Sequence, residues 1–104
     1  MARCLVTGNE GYIGSRLHTT LESMGHEVLG IDLKSGVDIN SAQGLKEDND
    51  GNFAPRWHNF KPEYIFHLAC WPRVGFSIDN PVSTMKNNVI AGSTVLNYAR
   101  KVGA

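Results

Sequence analysis

Cysteine is scarce: Cys4 and Cys70 are the two among 104 residues. Two cysteines build neither a disulfide framework nor a metal site, and they suit a reducing, cytoplasmic setting. His18, His26 and His58 stand at no metal-ligand spacing to one another or to either cysteine. Excess charge of either sign is also missing, since ten Lys and Arg balance ten Asp and Glu. General binders of nucleic acid or of anionic membranes are normally basic, so neither partner is expected. No apolar run approaches the ~18 residues of a membrane span. The opening Met1–Val6 runs too soon into Gly8 to read as a signal peptide. Repeats and low-complexity tracts are absent. What remains is 41% hydrophobic and 19% charged, the composition of a folded chain rather than a disordered one. Its length suits a single domain with one modest core, or half of a large doubly wound fold.

The apolar pattern alternates between strand and helix. Arg3–Thr7 is a short apolar run stopped by Gly8, the mark of a buried parallel strand. A helix follows, with Ile13, Leu17, Leu21 and Met24 on one face and Gly25 placed to end it. Residues 27–32 form a second strand, and Val37-Asp38-Ile39 reads as the stub of a third. The polar stretch 40–52 is loop, with a solvated cluster at residues 46–50. Phe53 to Phe60 reads as a short helix stopped before Pro62, its Phe53, Trp57 and Phe60 covering the sheet. Residues 64–69 make the most apolar strand. Pro81 opens a last helix, with Met85, Val89, Leu96 and Ala99 on its inner face and Gly103 closing it. The fold class expected is therefore α/β: a partial doubly wound parallel sheet of strand order 3-2-1-4 with helices on both faces.

The sharpest motif is Thr7-Gly8-Asn9-Glu10-Gly11-Tyr12-Ile13-Gly14, between a strand and a helix. Gly8 allows the turn out of the strand, Gly11 a close approach of backbone to a pyrophosphate, and Gly14 tight packing of the helix. The N–H groups near Gly11, Tyr12 and Ile13 then face an anion, helped by the helix dipole. The spacing is G-x-x-G-x-x-G, and bare glycines also serve ordinary turns. Asp32 strengthens the reading: 18 residues after Gly14 it ends the second strand, where a carboxylate can accept from ribose hydroxyls. It would repel a 2′-phosphate, which favours NAD over NADP, although Lys34 two residues on could tolerate that phosphate. S-adenosylmethionine sites also use a glycine loop and a strand-end carboxylate, but the glycine spacing argues against one here.

With these residues the chain resembles the extended short-chain dehydrogenase/reductases, the NAD-dependent sugar-nucleotide epimerases and dehydratases. Thr7-Gly8-x-x-Gly11-Tyr12-Ile13-Gly14-Ser15 is similar to the family's opening. Asp38-Ile39 resembles its Asp-hydrophobic pair, and His67-Leu68-Ala69-Cys70 its His-Leu-Ala-Ala. Val74-Gly75-x-Ser77, Pro81 and Asn87-Asn88-Val89 look most like the UDP-glucose 4-epimerase branch. The resemblance runs from Leu5 to Gly103. It implies a Rossmann-type NAD(P)-binding domain over residues 1–104. It also implies roles: Tyr12 and Ile13 at the pyrophosphate, Asp32 at the ribose, Asp38 and Ile39 at adenine. Leu68, Ala69 and Cys70 would line the path to the nicotinamide ribose, with Asn87 or Asn88 near the cofactor.

The departures matter as much. Cys70 replaces a second Ala, and Trp71-Pro72 follow where the branch commonly carries a Lys that reaches the cofactor. The family's fifth strand, its catalytic Tyr-x-x-x-Lys helix and its substrate-binding part have no counterpart in these residues. The tyrosines are Tyr12, Tyr64 and Tyr98, and four residues beyond them stand Arg16, Leu68 and Val102. The expectation is a dinucleotide-binding half that is not catalytically competent alone. A non-catalytic NAD(P)-sensing or interaction module and a ligand-free remnant are the alternatives. A bare edge on the strand at 64–69, or an uncovered last helix, would favour a homodimer or pairing with a missing C-terminal half.

Overall fold

The structure is a computed structural model, and it describes residues 1–69, 79 and 81–104. Strand β1 (Arg3–Thr7) runs between β2 (Glu27–Ile31) and β3 (Tyr64–His67). All three are parallel, in the order β2-β1-β3, with Leu5 opposite Leu29 and Ile65. Strict alternation sends their side chains to two faces. Leu5, Ile31, Leu29 and Ile65 enter one hydrophobic cluster, while Cys4, Val6, Val28 and Phe66 enter another.

Helix α1 (Tyr12–Ser23) covers the second face with Leu17 and Leu21. The first face carries the larger core. There α2 (Pro55–Phe60) supplies Trp57, and the preceding loop supplies Ile39, Leu45 and Phe53. Helix α3 (Pro81–Val102) adds Val95 and Tyr98. Trp57 is 1% exposed and its indole N–H donates to the Gln43 carbonyl at 2.9 Å. The Tyr98 hydroxyl donates to the Trp57 carbonyl at 2.6 Å, and its ring meets Phe53 edge-on at 4.9 Å. Burial pushes the Tyr98 phenol up to about 12. The Phe53–Phe60 segment thus covers the sheet as expected, with Pro55 in its first turn and Lys61 closing it at φ 46°. Among the described residues no helix is long and apolar enough to cross a membrane.

Three expectations are corrected. Residues 37–39 form no strand, so the described sheet has order 2-1-3 rather than 3-2-1-4. The reason is local: the Leu33–Ser35 turn closes at Gly36 (φ 84°), and Asp38 starts another turn by accepting from the Asn40 N–H at 2.9 Å. Too little chain lies between the two turns to pair with β2. The inner face of α3 is also displaced from the expected one. Thr84, Ala91, Val95 and Tyr98 are buried, whereas Met85, Val89 and Leu96 are 61–72% exposed. Val95 and Tyr98 carry that face into the larger core, and Met85, Val89 and Leu96 point away from it. In α1, Leu21 is buried as expected, but Ile13 and Met24 are 67% and 66% exposed, at the two ends of the helix beyond the sheet.

Candidate functional site

The sheet runs from β1 to β2 on one side and to β3 on the other. Helices α1 and α3 lie on opposite faces of it, and a crevice opens beyond the carboxyl ends of β1 and β3. A cleft of about 630 Å³ lies there, within the ~300–1,000 Å³ usual for ligand sites.

The glycine loop forms its floor. The Gly8 N–H donates to the Ile31 carbonyl at 2.7 Å, tying the loop to β2. Gly8 has φ 73°, and a Cβ there would meet the Ala69 nitrogen at 2.9 Å. The Gly11 N–H is taken up by the Gly8 carbonyl at 3.1 Å, so it does not face the cleft as expected. The first intrahelical bond of α1 is Ser15 N–H to Gly11 O. The N–H groups of Tyr12, Ile13 and Gly14 precede it and have no helical acceptor. Gly11 brings no side-chain cap, and the first turn carries no acidic residue. An uncapped helix start thus opens on the cleft, a favourable seat for an anion.

Asp32 stands at one corner. Its Oδ1 accepts from the Lys34 N–H at 2.9 Å and its Oδ2 from the Glu10 N–H at 3.0 Å. These bonds aim the carboxylate, and its remaining lone pairs stay available for hydroxyl donors. Asp38 and Ile39 border the same side, where the Thr94 hydroxyl of α3 donates to Asn40 Oδ1 at 2.9 Å.

The opposite wall depends on Thr7, which is fully buried. Its hydroxyl oxygen accepts from the Leu68 and Ala69 N–H groups at 3.0 and 3.1 Å. Its proton is left for His67 Nδ1 at 2.7 Å. Nδ1 is therefore the acceptor, and in the neutral ring the proton sits on Nε2. His67 is thus a hydrogen-bonded residue at the end of β3. Partial desolvation holds its pKa below the ordinary 6.5. The unfolded chain takes up that proton first on acidification. Stability from neutral His67 is thus complete above about pH 6.5 and is lost as the pH falls through the lower folded-state value. Melting temperatures from pH ~7.5 to ~5 should fall more for the wild type than for His67→Gln.

Of the residues singled out from sequence, Gly8, Gly11, Tyr12, Ile13, Gly14, Asp32, Asp38, Ile39, Leu68, Ala69 and Asn87 border this one cleft. Asn88 is half-buried on α3 and does not border it. Cys70, Trp71, Pro72 and the motif at 74–77 lie outside the described residues. The cleft also takes in Ile31, Leu33, Val37, Asn40 and Ala91, which sequence reasoning did not select. Ala91 had a signal, standing one helical turn beyond Asn87. Ile31 ends β2, and Leu33, Val37 and Asn40 are brought in by the turns that follow it.

The profile of the NAD dependent epimerase/dehydratase family matches residues 4–104. The chain belongs to that family. It is 38% identical to the UDP-glucose 4-epimerase of Mycolicibacterium smegmatis over 111 residues, covering 97% of this chain and 36% of that protein. It is 32% identical to the CDP-glucose 4,6-dehydratase of Salmonella typhimurium, covering 97% and 31%. Among solved structures, the Thermus thermophilus UDP-glucose 4-epimerase in complex with NAD matches with a TM-score of 0.81 at 26% identity, covering 97% of this chain and 34% of that one. A dTDP-4-dehydrorhamnose reductase from Bacillus anthracis in complex with NADP shares the fold, with a TM-score of 0.79 at 21% identity. The chain spans about a third of the length of the relatives it matches.

Proposed function

We propose that this family member binds NAD in the cleft beyond β1 and β3. The observation that carries the reading is that the uncapped start of α1 and the aimed carboxylate of Asp32 open on one cavity. A dinucleotide has a pyrophosphate for the first and ribose hydroxyls for the second. The cradle suits the group, because Gly8 and Gly14 let the Leu68–Ala69 wall and the start of α1 close in on the glycine loop, where a Cβ would meet backbone. Tyr12 and Ile13 N–H groups hold the pyrophosphate, Asp32 the adenosine ribose, and Asp38 with Ile39 the adenine side. Leu68 and Ala69 guide the other half toward Asn87. The bound nicotinamide supplies a hydride acceptor or donor. No Tyr-x-x-x-Lys occurs in the 104 residues. The proton transfer that such a pair performs is therefore assigned to no residue here, and the proposed activity is binding and placement of the dinucleotide. Cys4, a free buried thiol, is compatible with a cytoplasmic setting.

Calorimetric titration with NAD, NADP and UDP-glucose tests this. NAD should bind saturably and more tightly than NADP. Asp32→Ala should weaken it by about 10–100-fold, the effect of losing a charge-assisted hydrogen-bond acceptor. Failure of the folded protein to bind NAD would overturn the reading and leave an interaction module or a remnant.

We also infer association with a second copy. Among the described residues β3 has no partner on its outer side, and Val82, Met85, Val89 and Leu96 make an exposed stripe along α3. Both features favour pairing. Light scattering should find a dimer at tens of micromolar, and a monomer there would count against it.

A further inference from the structure

The corner around Asp32 holds more than Asp32. Glu10, in the glycine loop, lies against the turn that follows β2. Its backbone N–H donates to Asp32 Oδ2 at 3.0 Å. Its carbonyl accepts from the Lys34 ammonium at 3.3 Å. Its carboxylate accepts a hydrogen bond from the Ser35 hydroxyl. The Ser35 N–H in turn donates to the Asp32 carbonyl at 3.0 Å. The loop and the turn are thereby joined at the rim of the cleft on the side where Asp32 faces inward.

Two consequences follow for charge. Lys34, which could tolerate a 2′-phosphate, borders the cleft and keeps its charge while its ammonium donates to the loop carbonyl, so it offsets one carboxylate of this corner. A second carboxylate, fixed through Ser35, stands on the same corner as Asp32. The two carboxylates outweigh that single cation, and a rim of net negative charge opposes a dianionic group and leaves a neutral hydroxyl unaffected.

We infer that Glu10 is a second specificity-determining residue, which with Asp32 rejects dinucleotides phosphorylated on the adenosine ribose. The inference rests on the dinucleotide reading above. It differs from that reading in assigning selection to a residue that does not border the cleft and acts through its charge.

The test is titration of NAD and NADP into the wild type and Glu10→Gln, each also in an Asp32→Asn background so that NADP binding is measurable. Glutamine keeps the size of the side chain and can still bond Ser35, but it removes the charge. NADP should bind about tenfold more tightly to Glu10→Gln than to its parent at low salt, with NAD changed less than about threefold. That gain should shrink at ~0.5 M salt, because an exposed charge is screened over a few ångströms there. Ser35→Ala, which keeps the charge but releases it, should give a smaller gain. An unchanged NADP-to-NAD ratio in Glu10→Gln, with NAD still bound, overturns the inference and leaves the cofactor reading in place. A gain that does not respond to salt overturns it as well, since it would mark a change of shape. Absence of NAD binding to the wild type overturns both.

Discussion

Replacing Trp57 by alanine is expected to cost about 3–5 kcal/mol, the usual range for deleting a buried indole. A domain of this size has a net stability of only ~5–15 kcal/mol. The side chain is 1% exposed and packs with Leu5, Ile31, Leu45, Phe53 and Tyr98, so it joins the sheet, the loop before α2 and α3. Truncation also removes the N–H donor to the Gln43 carbonyl. The neighbours come from four separate segments, which limits how far they can collapse into the space. Urea unfolding measures the loss. Met24→Ala, on a residue 66% exposed and away from the α3 stripe, is the control and should stay within about 0.5 kcal/mol. A Trp57 loss as small as that of the control would show that this core is not what stabilises the chain.

The second large effect is expected at Gly14. In a helix interior alanine is favoured over glycine by ~1 kcal/mol, so propensity alone forecasts a gain. The contact reverses the sign. A Cβ on Gly14 would lie 2.0 Å from the Gly8 carbonyl oxygen and 2.8 Å from its carbon. Both are backbone atoms and cannot swing aside as a side chain would. Either α1 tilts away from the glycine loop or the loop leaves β1, and the Gly8 N–H bond to Ile31 is strained with it. Gly14→Ala should therefore destabilise by about 1–3 kcal/mol, the ordinary cost of overpacking. Its NAD affinity should fall more than tenfold, since the first-turn N–H groups are displaced. Chemical denaturation and calorimetry check the two halves separately. A stability gain with NAD affinity unchanged would refute the close approach.

What could be read from sequence follows from what is local. β1 and β3 are apolar runs bounded by turn residues, and Pro81 marks the start of α3. The glycine loop and Asp32 carry their meaning in residue type and spacing, which is why they could be placed together before the fold was seen. The face of α3 could not be read this way. Its apolar residues occupy both sides, and the buried side includes Thr84 and Ala91, which no hydrophobicity count selects over Met85 and Leu96. Val95 and Tyr98 settle the inner face by joining the core around Trp57, a choice made by the packed structure and not by the helix's own pattern. The missing third strand is similar: Val37 and Ile39 have strand character, but the turn begun by Asp38 takes the chain away. Leu33, Val37 and Asn40 reached the cleft only because two turns fold them over its rim.

The Thr7 hydroxyl has a mechanical consequence. With one donor and two acceptor sites all occupied, it rivets the ends of β1 and β3 together through Leu68, Ala69 and His67. Gly8 follows it directly and is bonded to β2. A load applied to the wall at 68–69 is therefore carried across all three strands to the glycine loop. The two sides of the cleft are thus braced against each other through one buried oxygen.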